Sequence, residues 1–323
     1  MAYLPPDQLR RVAVIGTGSV GASWIALFLA HGMAVVAHDP ASGAEAFARD
    51  HVNQAWPALV ELGLARVSQP PQGDLSFVDS VAEAARLADV IQENVPERPE
   101  LKDRVLREID GAADPCKIIL SSTGGIPPSV LQAACEHPER LVVVHPFNPA
   151  HLIPLVEVVG GRDTDAEVID WALDFARCLG KQPIRVRGEV SGHMTNRLQM
   201  ALMREAVACL VDGIASANDI DMAIRYGLAP RWVLMGPLLT MHLAGGPGGM
   251  KGILNHAGAA VEEWWTPRSQ PRLTPEVKAR LIAAADEVSR RAAIADWIRW
   301  RDSHLVEVLK LQQIGSGDEP ILT

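Results

Sequence analysis

The chain has 323 residues, more than one typical domain holds and a comfortable length for two. With 48% hydrophobic and 21% charged residues it has the composition of a globular enzyme, which excludes disorder as the main state. A formal net charge of -9 excludes a nucleic-acid binder that works by displacing counterions, and the lack of any apolar run of about 18 residues excludes a helical membrane span.

Residues 1–10 contain prolines and polar residues and lack the apolar core of a signal peptide. Cys116, Cys135, Cys178 and Cys209 lie far apart, form no Cys-x-x-Cys pair and sit among apolar residues. The expectation is a cytoplasmic protein with reduced, mostly buried thiols that have neither a metal nor a catalytic role.

In chain order, residues 11–15 read as a buried strand, 20–31 as a helix and 34–39 as a second strand. Between the first two lies Gly16-Thr17-Gly18-Ser19-Val20-Gly21. The first glycine of such a loop permits the tight turn, the second lets the backbone approach a pyrophosphate, and the third lets helix and strand pack closely. The helix N-terminus supplies unpaired N–H groups for phosphate. Asp39 closes the second strand, placed to accept hydrogen bonds from the adenosine ribose. Its charge opposes a 2′-phosphate, and Pro40 and Ala41 offer no arginine to receive one. NAD rather than NADP is therefore the expected cofactor.

Residues 44–62 predict a helix with Phe47, His51, Ala55, Leu59 and Leu62 on its buried face, and Leu101, Val105 and Ile109 mark a later one. Strands are expected at 75–78, 90–92, 117–121 and 141–145, then at 155–159 and 182–186 with a helix over 165–179 between them. This alternation predicts an α/β fold, a Rossmann-type doubly wound parallel sheet. After Gly188 the pattern becomes helical, with an amphipathic stretch at 194–211, a glycine-rich connection at 244–249 and a long amphipathic run at 292–313. The expected division is a cofactor-binding domain over 1–187 and an all-helical substrate and dimerisation domain over 188–323.

Val144-His145-Pro146-Phe147-Asn148-Pro149 follows a strand, and Glu157 lies twelve residues after the histidine within the apolar run 153–159. A buried carboxylate needs a partner, and a histidine suits it. Glu157 would fix the tautomer and leave the other ring nitrogen of His145 to take a proton from an alcohol as its hydride leaves.

These residues, with Gln92-Glu93-Asn94-Val95-Pro96-Glu97, Lys102, Ser121-Ser122-Thr123, Pro154-Leu155-Val156-Glu157, Asn196-Arg197-Leu198, the stretch 221–227, Arg231-Trp232 and the stretch 241–246, resemble the 3-hydroxyacyl-CoA dehydrogenase superfamily. The likeness covers nearly all of the chain after Arg10 and is strongest to the branch of the L-carnitine and L-gulonate dehydrogenases. Residues 28–32, 53–57 and 244–250 resemble the carnitine enzymes more.

The resemblance implies His145 as general base, Glu157 as its orienting partner and Asn196 as a hydrogen-bond donor to the substrate oxygen or to the histidine side. It places Glu97 and Lys102 near the nicotinamide ribose. In place of the serine usual in the family stands Gly124, so Ser122, Thr123 or a water would have to supply that donor. The family's Asp-Gly-Phe before the asparagine reads Ser191-Gly192-His193. Arg231 matches a carboxylate-clamping position, while Trp232, Phe147 and Glu262-Glu263-Trp264-Trp265 are candidates for a quaternary ammonium group.

The implied activity is NAD-dependent oxidation of a small 3-hydroxy acid, carnitine or a similar betaine first. A gulonate-type sugar acid, a 3-hydroxyacyl-CoA, a ketone reduced in the reverse direction, or a crystallin-like NAD-binding protein with little turnover stand as alternatives. A homodimer is implied as well.

Overall fold

The computed structural model describes residues 3–265 and 269–315; residues 316–323 of the expected helical domain lie outside them. Eight strands form one sheet in the order β3-β2-β1-β4-β5-β6-β7-β8. They are β1 (Arg11–Ile15), β2 (Ala34–His38), β3 (Leu75–Phe77), β4 (Val90–Glu93), β5 (Ile119–Ser121), β6 (Leu141–Pro146), β7 (Leu155–Gly160) and β8 (Gln182–Val186). All pairs are parallel except β6 with β7, which is antiparallel.

Helices α1 (Ser19–Ala30), α2 (Ala44–Glu61), α3 (Val81–Leu87), α4 (Pro99–Ala112), α5 (Pro128–Gln132) and α6 (Ala166–Cys178) alternate with these strands. Successive residues of β1 point to opposite faces, as strand geometry requires. Val12 and Val14 join one core with residues of α1, α2 and α6, while Ala13 and Ile15 join a second core with residues of α3, α4 and α5. The sheet is thus covered on both faces, the doubly wound arrangement expected. Trp24 of α1 stacks on Phe28, and Phe28 on Phe175 of α6, with ring centroids 5.4 and 6.1 Å apart.

Two local expectations are corrected. The buried face of α2 consists of Ala48, Val52, Ala55, Trp56 and Leu59, and Phe47 is 47% exposed. Both faces share Ala55 and Leu59; the bulk of Trp56, whose indole N–H donates to the Val67 carbonyl at 3.0 Å, decides between them. Cys116 and Cys178 are exposed and Cys135 and Cys209 half-buried, so apolar neighbours in sequence did not bury these thiols.

The chain divides into two compact units, Met1–Arg197 and Leu198–Thr323. Helix α7 (Thr195–Val211) begins in the first and runs into the second. The second unit continues with α8 (Ala217–Met222), a π-helical turn over Ala223–Leu228, α9 (Ala229–Leu234), α10 (Pro237–Ala244), α11 (Gly249–Trp265), α12 (Pro275–Val288) and α13 (Ile294–Gly315). The glycine-rich connection at 244–249 is a tight 3-10 turn over Gly246–Gly248. Among the described residues no helix is long and apolar enough to cross a membrane.

Candidate active site

Strands β1, β4, β5 and β6 lie side by side and run parallel, so the segments leaving their C-terminal ends line one edge of the sheet. Open α/β sheets bind ligands along that edge. Residues 16–21, 94–97, 122–125 and 147–149 are those segments.

The glycine loop is sterically constrained. Gly16 has φ +85°, and a β-carbon there would lie 2.9 Å from main-chain atoms of Asn94. A β-carbon on Gly21 would lie 2.0 Å from the Gly16 carbonyl oxygen. Over Gly18, by contrast, nothing lies within 4 Å of that position, and Gly18 and Ser19 are exposed while Thr17 is buried. Helix α1 starts at Ser19 without a side-chain cap, and its first helical bond runs from Ala22 N–H to the Gly18 carbonyl at 2.8 Å. The N–H groups of Ser19, Val20 and Gly21 precede that bond, beside an open approach over Gly18. This cradle fits the pyrophosphate of a dinucleotide. Asp39 braces it: one carboxylate oxygen accepts from Thr17 N–H at 2.7 Å and from the Thr17 hydroxyl at 3.3 Å, the other from Ala41 N–H at 2.9 Å.

Lys102 pairs most closely with Glu93. It is buried at 1% exposure, and its ammonium donates to both oxygens of Glu93, itself fully buried, at 2.8 and 3.0 Å. Glu97 Oε2 lies 3.8 Å away. Glu93 also accepts from the Ser121 hydroxyl at 2.5 Å and Val95 N–H at 2.7 Å. Glu97 instead takes the Thr123 hydroxyl and the N–H groups of Gly125 and Ile126, at 2.9 and 3.1 Å for the last two.

The hydroxyl hydrogens of Ser122 and Thr123 are therefore both committed. Ser122 donates to Asn94 Oδ1 at 2.8 Å while accepting from the Trp24 indole and the Gln92 amide, at 3.0 and 2.9 Å. Neither residue presents its donor where a serine at 124 would have placed one.

His145 and Glu157 are direct cross-strand partners in the antiparallel β6–β7 pair. Imidazole Nδ1 lies 3.0 Å from Glu157 Oε2. An ionised carboxylate only accepts, so Nδ1 carries the hydrogen and Nε2 is left bare. The other Glu157 oxygen accepts from Met194 N–H, Thr195 N–H and the Thr195 hydroxyl at 3.1, 2.8 and 3.0 Å, at the start of α7. Burial raises the Glu157 carboxyl, but the bonds from His145 and Thr195 outweigh it and hold the group below the usual carboxylate range.

Around the imidazole, the half-buried ring of Phe147 lies edge-on with centroids 4.6 Å apart. A β-carbon on Gly124 would lie 2.9 Å from Nε2 and 3.3 Å from Asn196 Nδ2, so any side chain at 124 would press on the bare nitrogen. Asn196 donates to the Gly124 carbonyl at 2.9 Å. The structure thus brings His145, Glu157, Phe147, Gly124 and Asn196 together.

In the second unit, Arg231 and Trp232 sit on α9 rather than in a loop, and Arg231 Nη2 donates to the Gly227 carbonyl at 2.9 Å. Trp264 and Trp265 are each 73% exposed, so neither is a core residue of its unit.

Sequence reasoning gave no role to Glu93 and noted His193 only as a departure from the family's Asp-Gly-Phe. Glu93 ends the buried strand 90–93, and the rule that a buried carboxylate needs a cation points to Lys102, nine residues on, as a candidate partner. His193 carries no local signal of that kind.

A dinucleotide cradle and a carboxylate-held imidazole along one sheet edge define a nicotinamide-dependent dehydrogenase acting on an alcohol. Residues 11–190 match the family described as 3-hydroxyacyl-CoA dehydrogenase, NAD binding domain, and residues 192–284 match 3-hydroxyacyl-CoA dehydrogenase, C-terminal domain. The chain belongs to this family, and its cofactor is NAD. It is 44% identical over 305 residues to an L-carnitine dehydrogenase of Bacillus cereus, covering 94% of this chain and 93% of that one. An L-carnitine dehydrogenase of Oceanobacillus iheyensis is 45% identical over 303 residues, 94% and 98% of the two chains. Among solved structures, the NAD+-dependent dismutase 5-formyl-3-hydroxy-2-methylpyridine 4-carboxylic acid 5-dehydrogenase has a TM-score of 0.81 and 28% identity, covering 95% and 99%.

Proposed function

We propose that the enzyme oxidises the secondary hydroxyl of a small 3-hydroxy carboxylic acid, with L-carnitine the leading substrate, to the 3-oxo acid. The observation that carries this reading is the bare Nε2 of His145, held by the Nδ1–H bond to Glu157. The substrate hydroxyl gives its proton to Nε2 as its carbon gives up a hydride and becomes a carbonyl carbon. NAD, when bound, supplies the hydride acceptor. Glu157 keeps the ring in the required tautomer and favours the imidazolium that proton uptake creates. Asn196 holds the Gly124 carbonyl and with it the main chain beside Nε2. The N–H groups of residues 19–21 bind the pyrophosphate and Asp39 the adenosine ribose. Nothing in this set prefers one 3-hydroxy acid over another, so the naming of carnitine rests on the relatives.

The same reading gives residues 1–187 the cofactor and residues 188–323 the substrate and the dimer contact, in a cytoplasmic enzyme. It assigns Arg231 to the substrate carboxylate, with one of its donors used on Gly227. The homodimer reading is supported by the exposed apolar residues of the second unit, among them Leu234, Leu238, Leu243, Ile294 and both residues of the Trp264–Trp265 pair. So much bare apolar surface is a liability in a monomer. Sedimentation equilibrium is expected to give twice the chain mass; a monomer at micromolar concentration refutes this.

The decisive experiment is NADH formation on offering L-carnitine, L-gulonate, 3-hydroxybutyrate and 3-hydroxybutyryl-CoA with NAD. Carnitine is expected to react fastest, and His145→Ala to abolish turnover while leaving NAD affinity nearly intact. Preference for the CoA thioester, or full turnover by the alanine variant, would overturn the reading.

A further inference from the structure

We propose that His193 is a positioning residue of this site: through the Thr123 carbonyl it sets how closely the main chain of residues 123–125 approaches the imidazole of His145. This rests on the reading of His145 as proton acceptor.

His193 is fully buried, with Nε2 3.0 Å from the Thr123 carbonyl oxygen. A carbonyl only accepts, so Nε2 bears the hydrogen and the neutral ring leaves Nδ1 bare. Among the described residues that buried Nδ1 has no hydrogen-bond partner. Burial also holds the imidazole below its ordinary range, against the raising effect of the Thr123 bond, which keeps the ring neutral. The backbone of His193 lies at φ +46°, a left-handed conformation uncommon for a side-chain-bearing residue. One residue therefore carries two energetic costs, an orphaned acceptor and an unfavourable backbone, and such costs cluster where they serve a site.

What they achieve is visible in the contacts. The His193 ring lies 5.4 Å from the ring of His145, tilted by 51°. Three successive carbonyls on the opposing segment are held from one short stretch of chain: Thr123 by His193, Gly124 by Asn196 and Gly125 by Gly192 N–H at 3.1 Å. Gly124, in the middle, is the residue on which a β-carbon would lie 2.9 Å from His145 Nε2. The imidazole is thus bounded by Glu157, Phe147, His193 and residue 124, and the Thr123 bond governs the clearance at the nitrogen that receives the proton. A displacement of a few tenths of an ångström there changes how a hydroxyl can approach.

The test uses the full-length protein and two substitutions. His193→Phe fills the ring's space without a donor, and His193→Gln places an amide N–H within reach of the Thr123 carbonyl. With NAD and the best hydroxy acid, His193→Phe is expected to lower kcat by about 10-fold or more, with KM for NAD and Tm little changed. His193→Gln is expected to recover most of that loss. A second readout needs no substrate. The Nδ1 proton of His145, bonded to Glu157, should give a downfield proton resonance in the free wild type and in His193→Gln, displaced or broadened in His193→Phe. If the phenylalanine variant does not fold, His193→Asn, which accepts a left-handed backbone and is too short to reach Thr123, replaces it.

An unchanged resonance in the variant lacking the donor overturns the proposal whatever the turnover. So does a loss of activity that follows Tm and is not recovered by glutamine. A displaced resonance in a protein that oxidises none of the hydroxy acids upholds the positioning and sinks the substrate reading instead.

Discussion

His145 and Glu157 face one another across the antiparallel pair of an otherwise parallel sheet, in direct register, with imidazole and carboxylate 3.0 Å apart. The same carboxylate receives the first N–H groups of α7 through its other oxygen. One buried charge therefore orients the base and anchors the helix that brings in Asn196.

Glu157→Gln is expected to lose both functions. An amide offers one oxygen and one NH2, so either His145 Nδ1–H or the N–H groups of Met194 and Thr195 must face a donor. Steady-state kinetics should show kcat reduced by about 100-fold or more, and thermal unfolding should show a lower Tm, with NAD affinity retained. Because the Glu157 carboxyl lies below its ordinary value of 4.5 in the folded state, the stability it contributes is present above that value and lost as pH falls through the folded pKa. The variant should lack this part of the acid-side loss; an identical acid profile would count against it.

Gly124→Ser is expected to lower kcat rather than restore a missing donor. Its β-carbon would lie 2.9 Å from Nε2 of an imidazole already held by Glu157 and flanked by Phe147 and His193. The ring has to yield, and a loss of about 10-fold in kcat is expected. A serine variant faster than wild type would show that the ring gives way freely and that the hydroxyl matters more.

Lys102→Met leaves the fully buried Glu93 carboxylate without its cation. Removing one partner of a buried ion pair costs about 3–5 kcal/mol, and the midpoint of urea unfolding should fall accordingly. A shift below about 1 kcal/mol would mean that Ser121 and Val95 suffice to hold the charge.

Lys181 is buried, and burial lowers its amine to about 7. Two N–H groups of a neutral amine match its two acceptors, the carbonyls of Ala150 and Ile153. Between about 7 and the ordinary value of 10.5 the unfolded chain binds more protons at this residue than the folded one, so its contribution to stability rises with pH over that window. Wild type should gain in Tm on Lys181→Met as pH is raised from 7 to 10. A constant difference would place a charged ammonium at that position throughout.

Strand and helix alternation, the steric demand for glycine at 16 and 21, and the presence of NAD chemistry were all determined by the sequence, because each depends on residues close together along the chain. Periodicity could not choose between two overlapping faces of α2, since a helix rotated by one residue keeps Ala55 and Leu59 in both; the bulk of Trp56 chose. The partners of Glu97, the commitment of the Ser122 hydroxyl to Asn94, the lack of room for a side chain at 124 beside Nε2, and the bond from His193 to Thr123 were decided by tertiary structure alone. Each joins segments that are distant in sequence and that the fold brings together at the ends of β4, β5 and β6. Local chemistry limits which groups need a partner, and only the order of the strands determines which partner is within reach.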